Sequence, residues 1–312
     1  MTDTYISGKL LIVLAILCPG QGSQKPGFLT PWLDVDGVPE RLKALGTAAD
    51  LDLIHYGTEA DEETIKDTAI AQPLIVAAGI VVGELLTERV REERVLWAGH
   101  SVGEITAAAL SGVMTPEDAM RFIKVRASGM ARASAAEPTG MSAVLGGSED
   151  DVRQAIEQAG LTAANSNGGG QIVAAGSIEN LEAFAANPPA KTRVIPLKVA
   201  GAFHTSYMRP AVADLQELAH DLSTDEPVTT LLSNKDGKPV TSGAAAAQSL
   251  VDQVTRPVRW DLCMQTMQES GVDRLIELTP AGTLVGLAKR GMKGVPGTAL
   301  NTPDQLDELF EK

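Results

Sequence analysis

Gly99-His100-Ser101-Val102-Gly103 lies between a short apolar run and an alanine-rich one, and this context constrains the fold more than any other stretch. The pattern G-x-S-x-G makes a nucleophile elbow, in which a strand turns sharply into a helix and lifts a serine to the surface of the turn. Val95 to Ala98 reads as a short buried strand, and Ile105 to Leu110 as a helix packed on a sheet. Gly99 and Gly103 suit a turn so crowded that a Cβ would block the approach of the backbones. Ser101 is the candidate nucleophile.

An elbow needs a sheet behind it, and the flanking sequence supplies one. Leu10 to Leu17 reads as a first, fully buried parallel strand. It is too short to span a bilayer. With one basic residue ahead of it, Lys9, and Pro19-Gly20 in place of a cleavage site, it does not read as a signal peptide. Pro19 to Gln24 is a tight loop at the carboxyl end of that strand, where parallel sheets hold ligands. Residues 25–68, broken by Pro26, Pro31 and Pro39, read as short helices and loops. Ala71 to Leu86 reads as a buried helix with Pro73 in its first turn, and Thr115-Pro116-Glu117-Asp118 opens another.

Between residues 140 and 200 the pattern changes. Strands at Met141–Leu145, Leu161–Ala164, Ile172–Ala175 and Arg193–Leu197 alternate with helices at Glu149–Ala159 and Ile178–Ala185. That β-α-β-β-α-β order is a ferredoxin-like arrangement, with Asn165 to Gly170 as a glycine-rich loop. Strands at Thr229–Leu232 and Leu275–Leu278 follow, with a turn at Asp236-Gly237. The fold class expected is α/β. A large domain with a mostly parallel sheet spans residues 1–139 and 201–312, and an inserted ferredoxin-like subdomain spans 140–200.

Composition removes several function classes. A net charge of −14 with no Lys/Arg run argues against a nucleic-acid partner. Cys18 and Cys263 cannot make a disulfide framework and suggest a reducing compartment, so a cytoplasmic location is expected. No Cys/His cluster has metal-ligand spacing, and no P-loop or dinucleotide fingerprint appears. Neither a metal, a bound cofactor nor a membrane is expected.

A serine nucleophile needs a base. Of four histidines, His100 shares the elbow, where neighbouring side chains diverge, and His55 and His220 lie in polar segments. His204, in Gly201-Ala202-Phe203-His204-Thr205, follows the last strand of the insertion and re-enters the large domain. It is the candidate base. The acids between Ser101 and His204 cluster on insertion helices (Glu149, Asp150, Asp151, Glu179), so a Ser-His dyad is favoured, with a backbone carbonyl orienting the imidazole. Val102, after the nucleophile, and the Gly20-Gln21-Gly22 loop are candidates for the two oxyanion amides. Arg126 sits mid-helix among apolar neighbours. The residues alone leave open whether it snorkels from the helix edge or holds a carboxylate with its planar fork.

Together with Ala71-Gln72-Pro73, Glu104, Asn234, Gln253, Arg256-Pro257-Val258-Arg259-Trp260 and Thr279-Pro280-Ala281-Gly282, these motifs resemble the malonyl-CoA:acyl-carrier-protein transacylases. The match runs from about residue 10 in the family's order and spacing. The resemblance implies an α/β-hydrolase-like large domain with a ferredoxin-like insertion. It implies malonyl transfer from malonyl-CoA to the phosphopantetheine thiol of acyl carrier protein by a ping-pong mechanism, in fatty acid biosynthesis. Ser101 would carry the acyl ester and His204 would be base, then acid. Gln21 and Val102 would form the oxyanion hole, and Gln253 would orient His204 through its carbonyl. Arg126 would hold the malonyl carboxylate, with Gln72, Phe203 and Asn165 also lining the substrate site. Roughly nine residues ahead of the first strand exceed the family's usual length. For the carrier, Lys289, Arg290 and Lys293 form the best basic cluster and Arg256 with Arg259 a second, although a solvated helix face explains them equally well. An esterase that passes the acyl group to water, or a scaffold that only binds the carrier, are the rival readings.

Overall fold

In the computed structural model, which describes residues 13–90 and 94–310 with the backbone of 5–6 and 9–10, two five-stranded sheets are built from one chain. The larger unit's sheet runs Gly297–Ala299, Arg274–Glu277, Val13–Cys18, Arg94–Gly99, Thr230–Leu232, every neighbouring pair parallel. Val13–Cys18 and Arg94–Gly99 are in register from Val13 opposite Arg94 to Cys18 opposite Gly99. They therefore end level, and the loop after Cys18 emerges beside the elbow after Gly99. The His100 N–H fixes this by donating to the Cys18 carbonyl at 3.0 Å.

The first parallel strand is described from Val13 onward. Leu10 pairs antiparallel with Tyr5, and Leu11 and Ile12 lie outside the described residues. So does most of the extended lead, as do the two final residues of the expected large domain. The helix expected at Ala71 starts at Thr68 and runs to Arg89. Asp67 caps it, accepting from the Ala69 N–H at 2.8 Å. Pro73 consequently sits six residues in rather than in the first turn, where it removes one i→i−4 bond. By length and composition this helix could cross a membrane, but 78% of its most apolar window is buried inside the protein. It is the central core helix. The proline-broken stretch is more helical than expected, because Pro39 occupies the first turn of Val38–Ala49 instead of ending it.

The smaller sheet runs Thr162–Gly168, Gln171–Ser177, Thr139–Gly146, Thr192–Pro196, all antiparallel, with helices Glu149–Gln158 and Ile178–Ala186 between its strands. Val144, Val152, Ile156, Ile172 and Phe184 form its own core. This is the ferredoxin-like order. Two differences from the sequence reading matter. Asn165 lies on a strand rather than in a loop, because the hairpin is closed by Gly169 and Gly170, both at positive φ. A further strand, Val258–Arg259, adds parallel to Thr162–Gly168. The small sheet is thus completed by chain from outside residues 140–200.

The elbow is the tightest point of the fold. A Cβ on Gly103 would stand 2.1 Å from the Cys18 carbonyl oxygen, and one on Gly99 would stand 2.0 Å from the Gly103 carbonyl carbon. Both obstacles are backbone, so no rotamer change relieves them. Gly103→Ala is expected to cost about 3 kcal/mol or more, or to prevent folding. Gly286→Ala is the control in thermal unfolding, since a Cβ there meets nothing within 4 Å; it should change stability by about 1 kcal/mol or less, in the favourable direction. Equal melting temperatures for the two variants would contradict this account.

Candidate active site

Ser101 and His204 are two of the four non-glycine residues at positive φ among the described residues, at 54° and 62°. Backbone held there costs of order 1–3 kcal/mol and persists only where surroundings enforce it. Asn234, just beyond strand Thr230–Leu232, provides the enforcement at the serine. Its Oδ1 accepts from the Ser101 N–H at 2.8 Å and its Nδ2 donates to the Gly99 carbonyl at 2.7 Å, so one amide spans the turn. The Asn234 N–H donates to Glu104 Oε1 at 3.0 Å, closing the bracket on the first turn of helix Gly103–Leu110.

His204 and Ser101 meet with Nε2 and Oγ 2.7 Å apart. On the other side of the ring, Nδ1 is 2.8 Å from the Gln253 carbonyl. A carbonyl only accepts, so Nδ1 carries the proton and Nε2 presents its lone pair to the serine hydroxyl. Burial, then the nearby charge of Arg126, pushes the imidazole down to about 3. The ring is therefore a neutral acceptor at physiological pH. The carbonyl occupies the place a triad acid would take.

Gln253 ends helix Gly243–Gln253, and its side chain joins the Ser101–His204 contact to Arg126. Nε2 donates to the Ser101 carbonyl at 3.1 Å and to Glu104 Oε2 at 2.5 Å, while Oε1 accepts from Arg126 Nη2 at 2.9 Å. Arg126 Nη1 donates to Gln72 Oε1 at 2.7 Å, and Gln72 Nε2 donates to Gln21 Oε1 at 3.2 Å. Arg126 is wholly buried, which rules out snorkelling, and its guanidinium is held by two neutral amides. Burial lowers it to about 10, partly offset by the charge of Glu104.

A cavity of about 230 Å³ lies between the two sheets. Ser101, His204, Gln21, Gln72, Phe203 and Asn165 all line it, with Met130, Met141 and Val173 as apolar wall. Val102, Arg126 and Gln253 stand one layer behind the wall, Arg126 reaching it through Gln72. His100 also lines the cavity, but its Nε2 is 2.8 Å from Asn167 Oδ1 and its ring sits edge-on to Trp260. His55 and His220 are exposed beside Glu59 and Asp221. The basic clusters separate too: Arg256 and Arg259 pair with Asp252 and Asp261, whereas Lys289, Arg290 and Lys293 make no ion pair among the described residues. Glu104 and Asn234 were visible as motif residues, but sequence reasoning gave them no role. Their partners lie 130 residues apart along the chain, and only the folded sheet brings them together.

An acyl transferase domain model matches residues 16–303 of the chain. The chain belongs to the acyl transferase domain family. The malonyl CoA-acyl carrier protein transacylase of Mycobacterium tuberculosis is 52% identical over 299 residues, which cover 95% of this chain and 99% of the relative. The crystal structure of MCAT from the same organism superposes with a TM-score of 0.93 over 96% of this chain and 100% of that one. A type II PKS acyl-carrier protein in complex with its malonyl-transacylase includes a chain that matches with a TM-score of 0.90 at 27% identity, over 96% of this chain and 99% of that one. As an acyl transferase domain, the chain carries its serine, histidine and buried arginine in one connected network.

The His204 environment sets a pH dependence. The folded ring resists protonation down to about pH 3, whereas the unfolded ring takes a proton near 6.5. The unfolded chain thus binds more protons between these values, so this group's contribution to stability is full above 6.5 and is lost as pH falls towards 3. In the free enzyme, the acid limb of kcat/KM set by this ring is expected well below pH 6.5. A limb that tracks an ordinary histidine would contradict the assigned burial.

Proposed function

We propose that the protein transfers a malonyl group from malonyl-CoA to the phosphopantetheine thiol of an acyl carrier protein by a ping-pong route through an ester on Ser101, in fatty acid biosynthesis in the cytoplasm. The observation that carries this reading is the 2.7 Å contact of Ser101 with a neutral, carbonyl-oriented His204, joined through Gln253 to a buried arginine. The names of the relatives supply the substrate class.

In the first half-reaction His204 Nε2 takes the Ser101 proton as Oγ attacks the thioester carbonyl. The amides of Val102 and Gln21 receive the developing oxyanion; the Ser101 amide is already committed to Asn234. As the C–S bond breaks, His204 returns the proton to the departing coenzyme A thiolate. In the second half-reaction His204 takes the proton of the carrier's thiol, which attacks the ester, and gives it back to Ser101. Arg126 exchanges one or both amide partners for the malonyl carboxylate, with Gln72, Phe203 and Asn165 shaping the space around the acyl group. The chemistry uses the chain's own groups, the malonyl-CoA thioester and the carrier's thiol. Lys289 and Arg290 receive the carrier: they are exposed at the far end of helix Thr283–Gly291, whose Thr283, Leu284 and Leu287 line the cavity.

Two measurements test the proposal. Intact mass after brief incubation with malonyl-CoA should show a malonyl increment that is lost in Ser101→Ala and much weaker with acetyl-CoA; malonate accumulating without an increment would indicate a hydrolase. Arg126→Ala should reduce malonyl transfer by about 2–5 kcal/mol in transition-state terms and erode discrimination against acetyl-CoA. An unchanged acyl preference in that variant would remove the carboxylate role.

A further inference from the structure

Outside the catalytic cavity, and opening from it, lies a groove of about 710 Å³. Gln21, Leu197, Val199 and Thr283 line both spaces, so the two are continuous. Cations collect in the groove: Lys25, Lys66 and Lys198 line it against a single carboxylate, Glu62. Lys66 is paired with Glu62, and that contact, with a smaller effect from Lys198, holds the Glu62 carboxyl below its ordinary value. Lys25 and Lys198 make no ion pair among the described residues. The three lysines come from three parts of the chain. Gln24, next to Lys25, donates to the Ile65 carbonyl next to Lys66 at 3.0 Å. Lys198 arrives from the other unit, where the Leu197 N–H bonds the Met141 carbonyl at 2.9 Å.

On a chain of net charge −14, an anion reaching Ser101 meets overall repulsion, and local cations at the cavity mouth determine whether it is held. A coenzyme A thioester threads its pantetheine arm to the nucleophile and leaves a diphosphate and a ribose phosphate outside. We infer that the groove lined by Lys25, Lys66 and Lys198 is the binding site for the phosphates of the coenzyme A thioester. Its apolar patches, Pro26, Leu197 and Val199, give the adenosine a surface to lie on. The concave shape and its continuity with the cavity favour this small polyanion over the convex surface of a carrier protein. The assignment rests on the proposed malonyl transfer reaction.

The test is the Lys25→Gln/Lys198→Gln double variant, assayed with malonyl-CoA and with malonyl-pantetheine, which has the same reactive end and no phosphate. Both lysines are exposed, and the melting temperature checks that the variant folds. Expected is a roughly five- to twenty-fold loss of kcat/KM for malonyl-CoA, as two partly screened charge contacts would give. Its salt dependence should flatten, and ester formation from malonyl-pantetheine should stay within about twofold of the parent protein. Equal losses on both substrates, no loss on either, or a loss confined to the carrier half-reaction would each overturn the assignment. If the parent protein forms no Ser101 ester from either thioester, the transfer reaction itself has failed, which distinguishes the two ideas.

Discussion

The geometry of Ser101 depends on a backbone that cannot relax. Glycines at 99 and 103 let the elbow close against the end of strand Val13–Cys18, and Asn234 fastens the turn on both sides of the serine. The helix that follows is then aimed by the strand before it. The Gln21 loop is placed by the equal length of two parallel strands and held by bonds of Gln21 to Gln72 and of Gln24 to the Ile65 carbonyl. Because the positive φ of Ser101 is imposed from three directions, Oγ is presented without the rotational freedom that an ordinary loop serine would have to lose on reaction.

The same network makes chemistry and specificity interdependent. Gln253 orients His204 with its carbonyl and touches Glu104, the Ser101 carbonyl and Arg126 with its side chain. A movement of Arg126 towards a substrate carboxylate is therefore felt at the residue that fixes the histidine tautomer. A buried polar network of this kind holds one arrangement when fully satisfied. The Arg126 Nε, with no partner, is the unsatisfied position within it.

Much of this was legible in the residues. The elbow, the dyad and the carbonyl in place of an acid followed from local pattern and from the lack of a suitably placed carboxylate. The ferredoxin-like order followed from periodicity. What sequence misjudged were features set by distant chain. Pro73 looked like a helix start because the true cap, Asp67, is one acid among several in a polar stretch. Asn165 looked like loop because its strand runs into three successive glycines, the last two forming the turn, and contains little apolar sequence; pairing with Gln171–Ser177 overrides that weak propensity. Arg126 could not be decided from its helix at all, since its meaning comes from Gln72 and Gln253, 54 and 127 residues away.

Under the proposed reaction, the buried arginine would let the site tell acids from simple acyl groups. Taking a guanidinium out of water is costly, and here only neutral amides touch it, with Glu104 acting from a distance. Burial lowers its proton affinity, with the charge of Glu104 offsetting part of that cost. An arriving carboxylate relieves that cost and gains a planar, two-pronged partner. An acetyl group would leave the charge as it was and, in addition, a void where the carboxylate should sit. On the proposed malonyl transfer, selectivity would arise less from attraction to malonate in water, where its charge is well solvated, than from a fold that keeps a cation waiting in a dry place. The discriminating free energy would then be stored in the folded protein before the substrate arrives, with the Gln72–Arg126–Gln253 bridge holding the fork without a permanent counter-ion hydrogen-bonded to it.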